Sequence, residues 1–350
     1  MICQLAFGAV IICIAFTIGF AIRRASICAV AAARQSAHGG RHTRLRAFAT
    51  AACWSGVVLL PLASLAPQIA VLSPGYAITF MAIAGGAMFG LGAYLNGACA
   101  FGTLSHLAGG ETNYLGTLVG IFIGAALAAM LPFHPDTPAP STLTLSSVAG
   151  VLLLLAFAGM AATGLRNHLG RRRRRNHGRR APRRLGASTA LLIIGIGGAL
   201  LHATAGEWTY MAVLSDRAAS LVSQDPSDTN LTVFAGSGAL IAGGVFAAYR
   251  SGRIRWRRPA SRKFAIRIIG GAMMGIAAAI VPGGNDVMLL YGVPSAAPHA
   301  IAAYITMMVV LYGVFRMKGI RSNAAAARTG NSRQSRRKPV AISAPEETAR

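Results

Sequence analysis

Charged residues are scarce in this chain, and acidic residues are scarcer still. Only 12% of its 350 residues are charged, and 9 acidic residues stand against 34 lysines and arginines. A soluble globular domain carries about 25% charged residues, so this shortfall excludes an ordinary soluble protein. No charged residue lies between Arg46 and Glu111, and about 20 apolar residues suffice to cross a bilayer. The composition therefore predicts an all-α polytopic membrane protein.

Several motifs of enzymes and metal proteins are also missing. The chain has no Walker A sequence, no Cys-x-x-Cys pair and no helical cluster of His and Glu. These absences argue against nucleotide-driven transport and a metal site, and we expect no enzymatic activity and no cofactor. Residues 1–22 lack the basic start of a signal peptide, so they are predicted to form the first membrane span.

The basic residues are unevenly distributed along the chain. They concentrate in Arg23–Arg46, Arg166–Arg184, Arg250–Lys263 and Arg316–Arg350, whereas the intervening connectors hold one basic residue, Arg217. Cytoplasmic loops of membrane proteins carry such an excess of Lys and Arg. The net charge of +25 therefore indicates membrane topology and not nucleic-acid binding, and the expected partner of these loops is the lipid bilayer.

Nine apolar runs, each bounded by charge, proline or glycine, predict about nine transmembrane helices. They cover residues 3–22, 45–66, 75–93, 113–131, 145–165, 187–205, 231–249, 264–281 and 297–315. With the N-terminus outside, nine spans place every arginine-rich connector and the C-terminus in the cytoplasm.

Two connectors, 94–112 and 281–296, do not read as ordinary loops. Both are too apolar for a solvent loop, and both are too short and too broken by glycine and proline to span. Irregular backbone at membrane depth persists only where protein or a water-filled cavity satisfies its polar groups. We therefore predict two re-entrant segments.

An internal repeat links these two connectors. The hexapeptide Gly85–Gly90 resembles Gly270–Gly275 at an offset of 185 residues, and each lies just before a predicted re-entrant segment. Five spans separate the two units, so they are expected to run in opposite directions, as in the inverted repeats of secondary transporters. A weaker pairing joins 24–30 with 207–213, and chance recurrence of glycine-rich helices is the alternative explanation.

The predicted organisation has five parts. They are a first membrane repeat, a connecting span, an arginine-rich cytoplasmic loop, a second inverted membrane repeat and a basic disordered cytoplasmic tail. These parts cover residues 1–131, 132–165, 166–186, 187–316 and 317–350. A block of like charges repels itself, which is why the arginine-rich loop is expected to be flexible.

Two cysteines are the strongest candidates for chemistry. Cys28 and Cys99 each lie in a short segment between spans. A thiol is polarizable and a weak hydrogen-bond donor, so it can contact a soft anion without burial of a fixed charge. The alternative is a small buried hydrophobic residue, which is the interpretation for Cys13 and Cys53 inside spans.

A second candidate group lies in the connector 281–296. Gly283 and Gly284 can present backbone N–H groups to an anion. Asn285 and Asp286 are expected at its deepest point, and an ionisable residue at membrane depth is a functional candidate. Asp286 could couple a proton, or it could cap a short helix that begins near Val287.

Four segments of the chain resemble the YeeE/YedE family of sulfur-compound transporters, which includes thiosulfate permeases. The resembling segments are Gly19–Cys28, Asn96–Leu107, Gly283–Asp286 and Leu289–Pro294, and the similarity extends over most of 1–316. The resemblance implies an hourglass-shaped inverted repeat in a bacterial inner membrane. It also implies that cysteines near the constriction pass thiosulfate along by S–H···S hydrogen bonds.

By this motif match, Cys28 and Cys99 would take these roles. Together with the candidates in the two connectors, the predicted substrate-binding or translocation residues are Cys28, Cys99, Asn96, Gly97, Gly283, Gly284, Asn285 and Asp286. Many relatives have a cysteine where this chain has Gly284, so a three-thiol relay is not available here. Either the substrate differs, or glycine backbone and Asn285 replace the missing thiol.

The expected function is an inner-membrane permease for a small sulfur-containing anion such as thiosulfate. The alternative is a membrane-embedded sulfurtransferase or redox partner. In that case Cys99 would form a persulfide and hand sulfur to a cytosolic sulfur-carrier protein on the arginine-rich loops.

Overall fold

Helices account for almost all of the ordered backbone. A computed structural model describes residues 2–40, 42–131, 147–175, 186–206, 208–223, 231–252 and 254–330. In these ranges no strand is formed, and an isolated bridge joins Glu111 and Arg257. The helices, in chain order, are α1 Ile2–Ala25, α2 Ala29–Gly39, α3 Thr43–Leu65, α4 Phe80–Asn96, α5 Ala100–Leu107, α6 Leu115–Ala129, α7 Val148–Arg175, α8 Ala187–Ala205, α9 Tyr210–Ser223, α10 Leu231–Arg250, α11 Ser261–Ile280, α12 Asn285–Val287 and α13 Pro298–Gly330.

The all-α prediction with nine spans is confirmed. Within the described ranges, nine helical segments are long and apolar enough to cross a membrane, and each overlaps one predicted span. Three of them continue past a break into a short second helix. These three are Ala6–Gly39, Phe80–Leu107 and Ser188–Ser223, which contain α2, α5 and α9 respectively.

The outer surface of the bundle is apolar, as a surrounding of lipid requires. On α7, Leu152 and Leu155 are 61% and 62% exposed, and similar side chains face outward on the other long helices. A soluble protein rarely exposes so much contiguous apolar surface. The exposed faces are therefore those expected to meet lipid.

Two helices extend beyond the predicted ends of their spans. Helix α7 reaches Arg175, inside the predicted arginine-rich loop, and α13 reaches Gly330, inside the predicted disordered tail. Residues 317–330, which the sequence places in the tail, continue α13 in the structure, and the five-part organisation stays a prediction. Arginine and alanine are good helix formers, and extending an existing helix costs less than nucleating a new one. The remaining parts, 176–185 and 331–350, lie outside the described residues.

The repeated glycine hexapeptides make equivalent close contacts in the two halves. Helix α4 packs on α13, and its sequence counterpart α11 packs on α6. At both interfaces a helix glycine lies against the partner backbone, which is how small residues let membrane helices approach. The equivalent approaches are Gly86 to Ala303 and Gly90 to Met307 on one side, and Gly271 to Thr117 and Gly275 to Ile121 on the other. The opposite orientation of the two halves remains a prediction.

Candidate functional site

The helices α2 and α5 begin side by side at the buried centre of the bundle. Cys28 is the N-cap residue of α2, and Cys99 is the N-cap residue of α5, both in extended backbone. The first N–H of α2, from Ala29, donates to the Cys99 Sγ atom at 3.1 Å. A helix N-terminus carries partial positive charge and free N–H groups, so the two thiols lie where an anion would be stabilised.

The predicted pair of thiols is brought together in one site. The Sγ atoms of Cys28 and Cys99 are 3.8 Å apart, and both cysteines are free. Cys99 has no exposed surface, and Cys28 is 8% exposed. A Cβ atom on Gly102 would lie only 2.6 Å from Cys28 Sγ, so the glycine provides the space that the thiol occupies.

The break between α4 and α5 is held by Asn96. Its Nδ2 donates to the Ala98 carbonyl at 2.8 Å and to Thr103 Oγ1 at 2.9 Å, and its Oδ1 accepts from Thr117 Oγ1 at 2.7 Å. These bonds satisfy a fully buried amide within the protein. The geometry gives Asn96 the role of orienting the segment that carries Cys99.

Gly97 allows this break because its backbone is left-handed, with φ of +68°. A side chain would be strained in that conformation. A Cβ atom there would also lie 2.9 Å from Nη1 of Arg267. Both constraints explain a glycine at the turn before Cys99.

Groups from the second half of the chain contact the start of α5. The Ala100 N–H donates to Asn285 Oδ1 at 3.2 Å, and the Tyr210 hydroxyl donates to the Ala100 carbonyl at 2.7 Å. Tyr210 is the first residue of α9. The site therefore joins α2 and α5 with the start of α9 and the connector 281–296.

Two polar atoms at this centre lack a hydrogen-bond partner among the described residues. They are Asn285 Nδ2 and Asp286 Oδ1, on side chains that are 0% and 1% exposed. Buried polar groups are normally paired. A bound water could pair with either atom, and Asn285 Nδ2 could also donate to an anion.

The role of Asp286 as a helix cap is not supported. The short helix α12 begins at Asn285, with Gly284 as its N-cap residue and no side-chain cap bond. Asp286 is thus already inside the first turn, because the chain becomes helical two residues earlier than the sequence suggested. The proton-coupling role stays a prediction.

The two glycines of this turn, Gly283 and Gly284, differ in their backbone environment. The Gly283 N–H donates to the Ala278 carbonyl at 2.8 Å, with the glycine at φ of +123°. That N–H cannot also bind an anion, and Gly283 acts instead to reverse the chain. Gly284 lies in extended backbone at the start of α12.

Met211 is a central residue that the sequence reasoning missed. It is 1% exposed, and its Sδ atom lies 2.9 Å from the position of a Cβ on Gly284. The weaker repeat pairing could have found it, because that pairing aligns Met211 with Cys28. Glu207, which begins the paired segment, lies outside the described residues.

The far end of α5 is stabilised by a cation. Arg23 Nη1 donates to the Ser105 carbonyl at 2.8 Å, near the helix C-terminus where positive charge is favoured. At the equivalent position of the second half, the Leu290 carbonyl accepts a hydrogen bond from the Ser55 hydroxyl. Within the described part of the chain, no three His, Cys, Asp or Glu side chains are arranged to hold a metal ion.

A multi-span helical bundle with broken helices that begin at a buried polar centre is the architecture of a membrane transport protein. A family model described as sulphur transport, for the YeeE/YedE family, matches residues 24–313, and the chain belongs to that family. The matched range contains both thiols and the connector 281–296. No curated protein matches the chain.

Proposed function

We propose that this protein is an inner-membrane permease for a small sulfur-containing anion, with thiosulfate as the first candidate. The observation that carries the proposal is the buried pair of Cys28 and Cys99, whose Sγ atoms are 3.8 Å apart at the starts of two helices. Membership of the sulphur transport family supports the class of substrate.

The chemistry of the site suits a soft anion. Thiols donate S–H hydrogen bonds and are polarizable, while the N-termini of α2, α5 and α9 supply partial positive charge. Asn285 Nδ2 adds a donor without a partner among the described residues. The Met211 thioether adds a soft group near Gly284, the position at which many relatives carry a cysteine.

Passage of an anion requires the centre to open. Cys99 is fully buried, and the void beside Cys28 has a volume of about 10 Å³, with Arg44 on its wall. A void of this size holds a single water at most. We infer that translocation separates the two halves around the turns at Gly97 and Gly283, which have positive φ.

Contacts between connectors support the proposed nine-span topology, for which the excess of Lys and Arg favours the N-terminus outside and the C-terminus in the cytoplasm. The backbone of Arg255 and Arg257 bonds to Gly109 and Gly110, and these connectors are predicted to be cytoplasmic. On the other side, the Tyr76 N–H donates to His299 Nδ1 at 3.2 Å. Each contact joins connectors that nine spans place on the same face.

The sulfurtransferase alternative makes a different demand on Cys99. A persulfide must be reached by the acceptor protein, and a reactive thiol must ionise. Cys99 has no exposed surface, so a cytosolic sulfur carrier could not contact it in this conformation. Both functions require the centre to open, but a small anion needs a narrower opening than a carrier protein does, and this favours the permease.

The test is uptake of ³⁵S-labelled thiosulfate into proteoliposomes. Wild type is compared with Cys99→Ala and Cys28→Ala, and Cys53→Ala is the matched control. Cys53 is also buried, at 3% exposure, but it packs with Phe157 and Ala161 in a separate cluster. We expect uptake to collapse in Cys99→Ala, to fall in Cys28→Ala and to persist in Cys53→Ala.

Two results would contradict the proposal. Equal uptake by all four proteins would mean that Cys28 and Cys99 do not contact the transported anion. No uptake by well-folded wild type would remove thiosulfate as the substrate. A wild-type protein that accumulates persulfide on Cys99 without uptake would favour sulfur transfer.

A further inference from the structure

A basic cavity lies away from the thiol site, beside the connector that precedes α11. Its volume is about 390 Å³. It is formed between the C-terminal end of α4, the turn before α6 and the first turns of α11. Its polar lining consists of Glu111, Asn113, Arg257, Arg258, Lys263 and Arg267.

The charges of this lining do not cancel. Glu111 forms an ion pair with Arg257, with 3.3 Å between Oε1 and Nη1. Three cationic side chains remain, those of Arg258, Lys263 and Arg267. The cavity also lies at the N-terminus of α11, whose dipole adds partial positive charge. An anion is the ligand that this surplus would bind.

Arg267 is already oriented toward this space. Its Nη1 donates to the Leu95 carbonyl at 3.2 Å, and its guanidinium lies 4.4 Å from the centre of the Tyr114 ring. Its Nε is buried and has no hydrogen-bond partner among the described residues. A planar guanidinium held in this way can bind a phosphate oxygen with little further loss of freedom.

The walls of the cavity are fixed by hydrogen bonds between two connectors. The Ala260 N–H donates to Asn113 Oδ1 at 2.9 Å. The Arg255 and Arg257 N–H groups donate to the carbonyls of Gly109 and Gly110, each at 3.0 Å. The site is therefore built before a ligand arrives, which lowers the entropic cost of binding.

The edge of the cavity is apolar and faces outward. Leu95 and Ile266 line it and are 39% and 38% exposed, and Ile269 lies further along α11 at 56%. Trp256, next to Arg257, is 80% exposed, as is typical of tryptophan at a membrane interface. Charged groups beside a lipid-facing surface fit a ligand that has an anionic head and apolar chains.

We propose that this cavity binds a phosphate group, supplied by the headgroup of an anionic phospholipid. The phosphate would contact Arg258, Lys263 and Arg267, and the acyl chains would follow the exposed faces of α4 and α11. This binding is independent of the transport function. It assigns a specific lipid site, in addition to the general attraction between basic loops and an anionic membrane.

The test is thermal unfolding of the delipidated full-length protein in a neutral detergent. Short-chain phosphatidylglycerol, short-chain phosphatidylcholine and inorganic phosphate are each titrated. The variant is Arg258→Gln/Lys263→Gln, and the control is Arg262→Gln. Arg262 is an exposed residue of α11, the helix that also carries Lys263, and it does not line the cavity.

We expect phosphatidylglycerol to raise the melting temperature of wild type and of Arg262→Gln in a saturable way. The shift should be largely lost in the double variant, because its cavity keeps only Arg267 as an unpaired cation. Phosphatidylcholine should have little effect on any of the three proteins.

The titration with inorganic phosphate distinguishes a lipid headgroup from free phosphate as the source of the bound group. If inorganic phosphate alone reproduces the full shift and depends on the same two residues, the lipid is overturned as the source of the phosphate. An equal shift in the double variant and in wild type would overturn the site altogether. The absence of any shift in wild type would do the same.

Discussion

The two halves of the molecule each bring broken helices to the buried centre, but they differ in the sulfur chemistry of the side chains there. In the first half, Cys28 and Cys99 start α2 and α5, with their Sγ atoms 3.8 Å apart. The aligned residues of the second half are Met211 and Gly284, and the thioether fills the space beside the glycine. A thiol can donate a hydrogen bond, whereas a thioether can only accept one weakly.

This difference suggests that side-chain volume is retained at the centre while donor chemistry is not. A soft anion would meet S–H donors on one side and a polarizable, non-donating wall on the other. Substitutions that make the two halves more alike, or that remove one feature of one half, can test this asymmetry.

The largest effect is expected for Asn96→Val, which copies the residue found 185 positions later, Val281. It removes the amide that bonds to Thr103 and Thr117. Each buried group left unpaired costs about 1–3 kcal/mol. We expect a clear fall in melting temperature and almost no uptake, because the segment that carries Cys99 is no longer held.

The control for this variant is Thr306→Val on α13. The Thr306 hydroxyl bonds only within its own helix, to the Ala302 carbonyl at 2.8 Å. Loss of this hydrogen bond should lower the melting temperature only slightly. If Asn96→Val were as stable and as active as this control, the amide would not hold the break, and the two halves would differ less than their contacts indicate.

The second test gives the second half a thiol. Gly284→Cys places a Cβ atom against Asp286 Oδ1 and 2.9 Å from Met211 Sδ, and such overpacking costs about 1–3 kcal/mol. The double variant Gly284→Cys/Met211→Ala removes one of these two obstructions, the thioether, and gives the Asp286 side chain room to turn away. Measured by thermal unfolding in detergent, the two substitutions should therefore be coupled by about 0.5–3 kcal/mol.

The matched control is Gly238→Cys on α10, where a Cβ atom would meet nothing within 4 Å. It should change stability little, with or without Met211→Ala. If the stability losses of Gly284→Cys and Met211→Ala were simply additive, Met211 would not occupy the place of the missing side chain.

Much of the fold could be predicted from the sequence, because each span is a local property. A run of apolar residues bounded by charge marks a helix without reference to any other part of the chain. The continuation of α13 through 317–330 does not follow from the charge pattern, because it depends also on the helix propensity of Ala324–Ala327.

The site could be predicted only in part. Cys28 and Cys99 were found because both lie in short apolar segments between spans. Their contact, and the roles of Tyr210 and Met211, depend on how distant helices pack, which no local pattern encodes. The pairing of 24–30 with 207–213 held the signal for Met211, but methionine in an apolar segment is more often a packing residue.

The third test removes the sulfur of the second half while keeping its volume. Met211→Leu is close to isosteric and should cost less than about 1.5 kcal/mol in stability. We expect the KM for thiosulfate uptake to rise severalfold, and the preference for thiosulfate over sulfate to fall. Competition of sulfate with labelled thiosulfate in proteoliposomes measures that preference.

Met274→Leu is the control. Met274 is also fully buried, but it lies on α11 and packs against Gly92 of α4. A change of selectivity in Met274→Leu as large as in Met211→Leu would mean that the effect comes from repacking. Unchanged selectivity in Met211→Leu would leave the thioether as a space-filling group only.

The smallest effect on uptake is expected for a fourth test, which compares the two hydrogen bonds that hold equivalent backbone carbonyls in the two halves. Ser105 and Leu290 lie 185 residues apart, and their carbonyls accept from Arg23 and from Ser55 respectively. A hydrogen bond from a charged donor contributes about 1.5–3 kcal/mol and a neutral one about 1 kcal/mol. We therefore expect Arg23→Gln to lower the melting temperature more than Ser55→Ala does, with modest loss of uptake in both. Added salt should narrow the gap if the charge of Arg23 is responsible, whereas a gap that salt leaves unchanged would point to lost packing of the long side chain.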